Sequence, residues 1–309
     1  MLKSAIRKII SLFHSKPSES WESQLRRGQG SMLSSRAMSN SFKNLWDAEV
    51  KVFSQWGEDG ILDYLVSRLG IHKPKFLEIG AGNFDECNSR FMAENLNASV
   101  VAVDGRRDLL ANIDMSEIKW KSNILGIETW VTPNNINELI SQSRVFMGEI
   151  DVFSLDLDGN DYWILQEADL RNVRVVVVEY NPLLGRTHEV TVPRDDSFDR
   201  TSKHESWLYY GASLLAFVGE LKKKGFTFVG TNRVGNNAFF VSSGDAGLIP
   251  FQPNPLDASF YDWRIRESRD SAGNLSFLTG SARQFAIGNM PLVDLRTKKM
   301  ISVAEANAT

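Results

Sequence analysis

Three aspartates stand close together in the stretch DLDGNDYWILQE, residues 156–167, and this spacing points to chemistry. Asp156, Asp158 and Asp161 directly follow an apolar run. Neighbouring carboxylates repel one another, so at least one of them needs a raised pKa or a cationic partner. Such a cluster takes the proton from a substrate hydroxyl, holds a divalent cation or contacts the amine of a cofactor. For Asp161, turn formation is an equal alternative.

The same stretch has the composition of a calcium-binding loop. An EF-hand loop places oxygen ligands at positions 1, 3, 5 and 12 and requires glycine at position 6. Asn160 and Glu167 would supply the last two ligands, but the sixth residue is Asp161. The residues before the loop also alternate in the manner of a strand, whereas an EF-hand needs a helix there. We therefore exclude an EF-hand and place the aspartates at a strand end.

A second set of oxygen-bearing side chains follows the next apolar run, VRVVVVEYN. Glu179 and Asn181 end this predicted strand. Open α/β sheets bind ligands at the carboxyl ends of their strands. We therefore predict that Asp156, Asp158, Glu179 and Asn181 lie together and form a candidate site for a divalent cation such as Mg²⁺. Asp156 and Asp158 are also candidate catalytic residues.

A glycine turn in FLEIGAGNFDE marks a candidate cofactor site. Glu78, Gly80 and Gly82 stand where one apolar strand ends, and Asp104 ends the next strand, SVVAVDG. Glycine lets the backbone approach a ligand closely. An acid after the second strand can accept hydrogen bonds from ribose hydroxyls. A dinucleotide and S-adenosylmethionine both fit such a site, and a tight turn without a ligand is the structural alternative.

The charge of this turn favours S-adenosylmethionine over a dinucleotide. In the dinucleotide fingerprint GxGxxG, the third glycine would fall at Asp85. A carboxylate at the start of a helix would repel the pyrophosphate that normally binds there, whereas the methyl donor carries no phosphate. Glu78 on an apolar strand argues against an empty turn, because a buried carboxylate needs a partner.

Strands and helices that position these residues alternate along the chain. A helix is predicted from about residue 58 to Gly70. Strands are predicted at KFLEIG, SVVAVDG, ETWVT, DVFSLDL and VRVVVVEYN, with helices between them, one of them capped by Asp85 and another beginning at Pro133. Helix 213–224 follows, and a hairpin, FTFVGTNRVGNNAFFVS, adds two strands to the five. The predicted fold is therefore α/β, with a doubly wound, mostly parallel seven-stranded sheet of the Rossmann-like class I methyltransferase type.

The chain divides into three predicted parts. Residues 1–42 form an amphipathic helix and a Ser-rich arm, residues 43–245 the α/β domain, and residues 246–309 a C-terminal extension with a hairpin at LVDLRTKKMISV. The basic apolar helix within residues 1–16 either packs on protein or lies on an anionic membrane surface. It is too short to span a bilayer, and it lacks the cleavage site of a signal peptide.

Composition limits the classes of function. The 309 residues carry a formal net charge of -3, which argues against nucleic acid as a partner. A single cysteine, Cys87, excludes a disulfide framework and favours a reducing compartment. We therefore expect a cytoplasmic protein, with peripheral contact to the inner face of the membrane as the alternative location.

Several other residues are weaker candidates. Gln55, in FSQWGED, is placed to reach the methionine end of the cofactor. His188 and His204 flank an insertion (residues 185–206) that we expect to cover the substrate, and a histidine has the pKa range of a general base. A solvated loop histidine is the alternative for both. Aromatic residues after the insertion either stack on a sugar or belong to the core: Trp207, Tyr209 and Tyr210.

Together these motifs resemble the FkbM-type S-adenosylmethionine-dependent methyltransferases. The resemblance rests on FLEIGAG, Asp104, DVFSLDLDGNDYWIL and VVVVEYNP, and it covers about residues 53–241. In that family strand four typically ends in Asp-x-Glu-Gly, so Asp158 replaces the glutamate here. The resemblance implies O-methylation of a hydroxyl, often on a sugar or a polyketide. It therefore implies a small-molecule or glycan acceptor and a place in polysaccharide biosynthesis.

Two other classes of function remain open. The first is a non-catalytic S-adenosylmethionine-binding scaffold protein of a glycan-assembly complex, docked through its basic N-terminal helix. The second is a metal-dependent glycosyltransferase that uses Asp156 and Asp158 as a DxD motif. A glycosyltransferase would not need the EIGAG turn, so the motifs favour the methyltransferase.

Overall fold

The structure, a computed structural model, describes residues 42–256, 265 and 267–308, together with helical positions 21, 25, 28–30 and 32. The strands are β1 (Lys75–Ile79), β2 (Ser99–Asp104), β3 (Ile124–Glu128), β4 (Val152–Leu155), β5 (Val175–Glu179), β6 (Val190–Thr191), β7 (Phe226–Thr231), β8 (Asn237–Ser242), β9 (Pro291–Asp294) and β10 (Met300–Ser302). The α-helices that lie wholly within the described residues are α1 (Glu58–Arg68), α2 (Asn88–Leu96), α3 (Leu109–Met115), α4 (Ile136–Met147), α5 (Asp161–Glu167), α6 (Arg200–Lys203), α7 (Leu214–Lys223), α8 (Ser281–Ala286) and α9 (Val303–Ala306).

One seven-stranded sheet dominates the fold, in the order β3-β2-β1-β4-β5-β8-β7. Strands β1 to β5 are parallel, and β8 pairs antiparallel with both β5 and β7. The order reverses between β1 and β4, which is the point where open α/β sheets bind ligands. The doubly wound, seven-stranded sheet predicted from the sequence is confirmed.

Both faces of the sheet are covered by apolar side chains. Alternate residues of β1 point to opposite sides, so that Phe76 belongs to one core and Leu77 to the other. The first core includes residues of α1 and α2, and the second includes residues of α4, α5 and α7. Because strands buried on both faces need apolar residues throughout, β5 is the run VVVV before Glu179.

The third strand lies earlier in the chain than predicted. It spans Ile124–Glu128, whereas the sequence analysis placed it in ETWVT at residues 128–132. As the edge strand, β3 is only half-buried along its whole length, so its apolar signal is weak. Gly126 interrupts the signal further. The shift leaves Trp130 beyond the strand, at the pocket described below.

Asp85 does not cap the second helix. Helix α2 begins at Asn88 with Cys87 in the capping position, while Asp85 is exposed and pairs with Arg90 at 3.1 Å. The prediction that Asp85 caps this helix is therefore wrong, because the capping residue is Cys87. Cys87 itself is buried, as a small apolar residue would be.

The C-terminal extension packs on the α/β domain. The predicted hairpin is confirmed as β9 and β10, and β9 also pairs with β6 of the insertion in a three-stranded sheet. A third apolar core joins Leu184 and Val190 to Leu292 and Val303. The extension and the insertion after β5 therefore stabilise one another.

The predicted basic helix within residues 1–16 lies outside the described residues. In the Ser-rich arm, positions 21, 25, 28–30 and 32 are helical, which differs from the irregular linker that its composition predicted. Trp21, Leu25 and Met32 follow helical spacing, and the serine content obscured that pattern. Across the described residues, every helix is too short or too polar to cross a membrane.

Asp59, in the first turn of α1, fixes the loop that leads into that helix. Its Oδ2 accepts hydrogen bonds from the backbone N–H groups of Val52, Phe53 and Ser54 at 2.7, 2.7 and 2.8 Å. The side chain is fully buried. Burial raises the pKa of Asp59 to about 6, although these backbone donors act in the opposite direction.

Asp59 should make the free energy of unfolding depend on pH. Because its folded pKa is above the ordinary value of 3.8, the folded protein holds a proton that the unfolded chain releases. Stability from this group is complete below pH 4 and is lost as pH rises to about 6. In Asp59→Asn, the difference in unfolding free energy from wild type should change by about 3 kcal/mol between pH 4 and pH 7. Urea unfolding across this range measures the difference, and parallel curves would contradict the assignment.

Candidate active site at the carboxyl ends of the strands

A cavity of about 630 Å³ opens where β1, β2 and β4 end. This volume lies within the range of about 300–1,000 Å³ that is usual for ligand pockets. Its lining includes predicted cofactor residues from three separate segments of the sequence: Gln55, Glu78, Gly80, Gly82 and Asp104. Asp156 and Asp158 line the same cavity, so the candidate catalytic and cofactor residues share one pocket.

The glycine turn brings the first strand into close contact with the fourth. Gly80 has φ +90°, and an added Cβ would lie 2.6 Å from the carbonyl carbon of Asp156 and closer still to its oxygen. Only glycine fits this approach. Gly82 has φ +56°, with no atom within 4 Å of the position a Cβ would take. The first glycine is thus required by packing and the second by backbone conformation.

Glu78 anchors the helix that follows the turn. Its Oε1 accepts a hydrogen bond from the N–H of Asn88 at 2.8 Å, and its Oε2 accepts one from the N–H of Ser89 at 2.9 Å. These are orphan donors at the start of α2. Burial raises the pKa of Glu78 while these bonds lower it. The carboxylate therefore occupies the helix start where a nucleotide-binding sheet would place a pyrophosphate.

Asp104 closes the turn from the second strand. Its Oδ2 accepts a hydrogen bond from the N–H of Gly82 at 2.7 Å, and its Oδ1 accepts one from the N–H of Arg106 at 2.8 Å. Burial raises the pKa of this carboxyl, and the backbone donors oppose that shift. A carboxylate has about four lone-pair sites, so two remain for hydroxyls of a ligand.

An acidic cluster forms at the ends of β4 and β5. Oxygen atoms of Asp156, Asp158 and Glu179 lie within 4.8 Å of one another. Burial raises the pKa of Asp156 well above its usual range, and the charges of Asp158 and Asp161 add to the shift, although a hydrogen bond with Glu179 acts against it. Burial and the charge of Asp156 likewise raise the pKa of Glu179. This convergence follows the sequence prediction.

Asn181, the fourth predicted metal ligand, has a different role. Its Nδ2 donates to the carbonyl oxygens of Leu208 and Tyr210 at 2.9 and 3.0 Å, and its Oδ1 accepts from the N–H of Leu183 at 3.0 Å. The side chain is fully buried. Asn181 thus shapes the chain after the insertion, and the predicted ligands that converge are the three carboxylates Asp156, Asp158 and Glu179.

Asp161 organises the turn after β4. Its two carboxylate oxygens accept hydrogen bonds from the N–H groups of Leu157 and Gly159, at 2.7 and 2.8 Å. Burial raises its pKa to about 6, opposed by these two bonds. Of the two alternatives for this residue, turn formation agrees with its contacts.

His188 is a correction to the predicted catalytic set. It lies two residues before β6, its ring contacts the Thr187 hydroxyl at 3.1 Å, and its carbonyl oxygen accepts a hydrogen bond from Ser213. The residues lining the pocket do not include it. His204 bonds to Ser206 at 2.8 Å. The local sequence pattern does not encode the path of the insertion, and this path leaves the rings of His188 and His204 outside the pocket lining.

An amide network at the far side of the pocket was not predicted. Glu58 is fully buried, and its Oε1 accepts hydrogen bonds from Asn232 at 2.7 Å and Asn237 at 2.9 Å. Asn236 in turn donates to Glu179 at 3.3 Å. The network links the α1 start to the acidic cluster. Its only sequence signal is the asparagine-rich turn of the hairpin.

The insertion after β5 contributes an aromatic side chain to the cavity lining. Phe198 lines the cavity and packs over Gly159. Asn160 exchanges hydrogen bonds with the backbone of Asp195. Trp130, which also lines the cavity, is 54% exposed, and its Nε1 donates to the carbonyl oxygen of Asp196 at 2.8 Å. Two aromatic rings therefore line the cavity.

Arg200, from the short helix α6, reaches the acidic cluster. It forms an ion pair with Asp158, and its guanidinium lies 4.9 Å above the ring centre of Tyr210. Burial lowers the pKa of Arg200, but the charges of Asp158, Tyr210 and Glu179 together raise it by more, so the net shift of the pKa is upward. The sequence pattern does not predict this contact, because the two residues are 42 positions apart.

The strand order and the pocket position define the class I methyltransferase fold. No family model matches the chain, and no curated protein matches it either.

Solved structures with a similar fold include fibrillarin from Methanococcus jannaschii, a pre-rRNA processing protein. It is 14% identical, the match covers 55% of this chain and 67% of that one, and the TM-score is 0.36. Human N-acetylserotonin methyltransferase in complex with S-adenosylmethionine is 10% identical, with 58% and 50% covered and a TM-score of 0.34, so half of that chain is spanned. Precorrin-6y C5,15-methyltransferase from Geobacter metallireducens is 15% identical, with 63% and 91% covered and a TM-score of 0.34. These likenesses concern the fold.

Proposed function

We propose that this protein is an S-adenosylmethionine-dependent methyltransferase. The observation that carries the proposal is the position of Glu78. Its carboxylate accepts hydrogen bonds from the N–H groups of Asn88 and Ser89. In a dinucleotide site, the N–H groups at this helix start would bind the pyrophosphate. A cofactor without phosphate is therefore favoured at this glycine turn, while Asp104 keeps acceptor capacity for a ribose.

The charge of the pocket supports the same cofactor. Among the described residues, six acids and one arginine line the cavity, and that arginine, Arg106, pairs with Asp108 at 3.0 Å. Such a field attracts a sulfonium and an ammonium and repels phosphates. When bound, S-adenosylmethionine supplies an electrophilic methyl group. Gln55 and Glu58 face its amino-acid end in this proposal, and Asp104 faces its ribose.

The finer proposal is O-methylation of a sugar, a glycan or a related hydroxyl compound. Trp130 and Phe198, which line the cavity, offer the flat apolar faces on which sugar rings stack. The FkbM-type resemblance of FLEIGAG and DVFSLDLDGNDYWIL supports the same acceptor class. A role in polysaccharide biosynthesis belongs to this proposal.

Asp156 is the proposed proton acceptor. It lines the cavity, and Glu179 lies behind it within 4.8 Å. Because the pKa of Asp156 is raised by burial and by its acidic neighbours, the carboxylate is a stronger base than an exposed aspartate. It can therefore take the proton of a hydroxyl as the oxygen attacks the methyl group.

A methyl-transfer assay tests this role. Purified protein is incubated with S-adenosylmethionine and a panel of neutral monosaccharides and oligosaccharides, and release of S-adenosylhomocysteine is followed by mass spectrometry. With an active acceptor, Asp156→Asn should lower kcat by about 10²–10⁴-fold, the usual contribution of a general base. The matched control is Asp114→Asn, an exposed aspartate on α3. An unchanged kcat in Asp156→Asn would contradict the base assignment.

A further inference from the structure

The acidic cluster has a cationic partner supplied by the protein itself. Arg200 pairs with Asp158, and the side chain of the arginine is only 18% exposed. Guanidinium stays charged at all relevant pH values. The carboxylate cluster predicted to bind a divalent cation therefore already has a permanent positive charge beside it, the guanidinium of Arg200.

Arg200 is held in position from the C-terminal side of the chain. Its Nη2 donates to Glu267 at 3.4 Å. Glu267 also pairs with Arg269 at 3.6 Å, and its carbonyl oxygen accepts a hydrogen bond from the buried Arg283 at 2.9 Å. Arg269 lies 4.5 Å above the ring of Trp207, at the end of the insertion. The C-terminal extension thus holds Arg200 in position through Glu267.

We propose that Arg200 is the resident counter-ion of the Asp156–Asp158–Glu179 cluster and that Glu267 of the C-terminal extension positions it there. Two observations carry this inference: the ion pair with Asp158, and the use of the Asn181 amide in backbone contacts. A divalent cation at the cluster would have to displace or face the guanidinium. The cluster is then a metal-independent site.

This inference does not depend on the proposed methyl transfer, because its test measures metal binding. Mn²⁺ titrations followed by electron paramagnetic resonance compare wild type with Arg200→Gln. Removing a positive charge beside three carboxylates should tighten Mn²⁺ binding at least about tenfold. Mg²⁺ should likewise raise the Tm of Arg200→Gln and leave that of wild type unchanged.

Matched variants separate charge from folding. Arg194→Gln removes an exposed arginine of the same insertion that pairs with Asp196, and it should behave as wild type. Arg200→Lys keeps the charge and should bind Mn²⁺ weakly, and Glu267→Gln should bind with an affinity between those of wild type and Arg200→Gln. Tight stoichiometric Mn²⁺ binding by wild type, or equal binding by wild type and Arg200→Gln, would overturn the proposal. If Arg200→Gln fails to fold, the comparison of wild type with Glu267→Gln decides in the same way.

Discussion

Replacing Gly80 with alanine is expected to destabilise the fold by at least about 4 kcal/mol, because overpacking and a positive φ add their costs. The new Cβ would overlap with the backbone carbonyl of Asp156, which belongs to the neighbouring strand end and cannot rotate away. Domains are stable by only about 5–15 kcal/mol. Gly80→Ala should therefore be largely unfolded or unfold at much lower urea concentration than wild type.

Gly82 provides the matched control for this prediction. It lies in the same turn at φ +56°, but no atom lies within 4 Å of the position of its missing Cβ. Gly82→Ala should cost only about 1–2 kcal/mol, the penalty of the left-handed conformation. Urea unfolding of both variants measures the difference. Equal destabilisation would show that the close approach to Asp156 does not constrain the turn.

Replacing Asp104 with asparagine should weaken S-adenosylmethionine binding by about 10–100-fold, because hydrogen bonds to a charged acceptor contribute about 1.5–3 kcal/mol. The amide keeps the shape of the side chain but loses the negative charge and one acceptor. Since the carboxylate also accepts the N–H of Gly82, the variant should unfold at a slightly lower temperature. Isothermal titration calorimetry measures the affinity.

Asp114 is the control for Asp104. It is an exposed aspartate on α3 that does not line the pocket. Asp114→Asn should bind the cofactor as wild type does. An Asp104→Asn protein that remains folded and binds with unchanged affinity would remove Asp104 from the cofactor site.

The sheet was predictable because its central strands are buried on both faces. Strands β1, β2, β4 and β5 are mostly apolar, as interior parallel strands must be when both of their faces are buried. Edge strand β3 has a half-buried, glycine-interrupted pattern, so its boundary was misplaced. The apolar pattern of the sequence therefore locates buried central strands more accurately than a half-buried edge strand.

The convergence of the acids could also be predicted, since the carboxyl ends of parallel strands share one edge of the sheet. Asp156, Asp158 and Glu179 follow this rule. The contacts that decide their chemistry follow no local rule. Arg200 approaches from a polar insertion, and Glu78 caps a helix that begins ten residues later. Long-range polar contacts of this kind depend on the path of loops, which spacing does not encode.

His188 was assigned wrongly for the same reason. Its residue type and its place in an insertion after β5 are those of a general base, but the insertion adds β6 to the C-terminal sheet and directs the ring toward Thr187. Pairing between residues 190–191 and 291–294 has no signal within either segment.

Binding of S-adenosylmethionine to the purified protein tests the central claim most directly. Isothermal titration with S-adenosylmethionine and with NAD⁺, each with and without Mg²⁺, compares the two cofactors that fit a glycine turn. We predict a single site for S-adenosylmethionine, independent of Mg²⁺, and no binding of NAD⁺, because Glu78 occupies the helix start that a pyrophosphate needs. A folded protein that binds NAD⁺ or a nucleotide sugar, or that gives no heat with S-adenosylmethionine in either condition, would contradict the account.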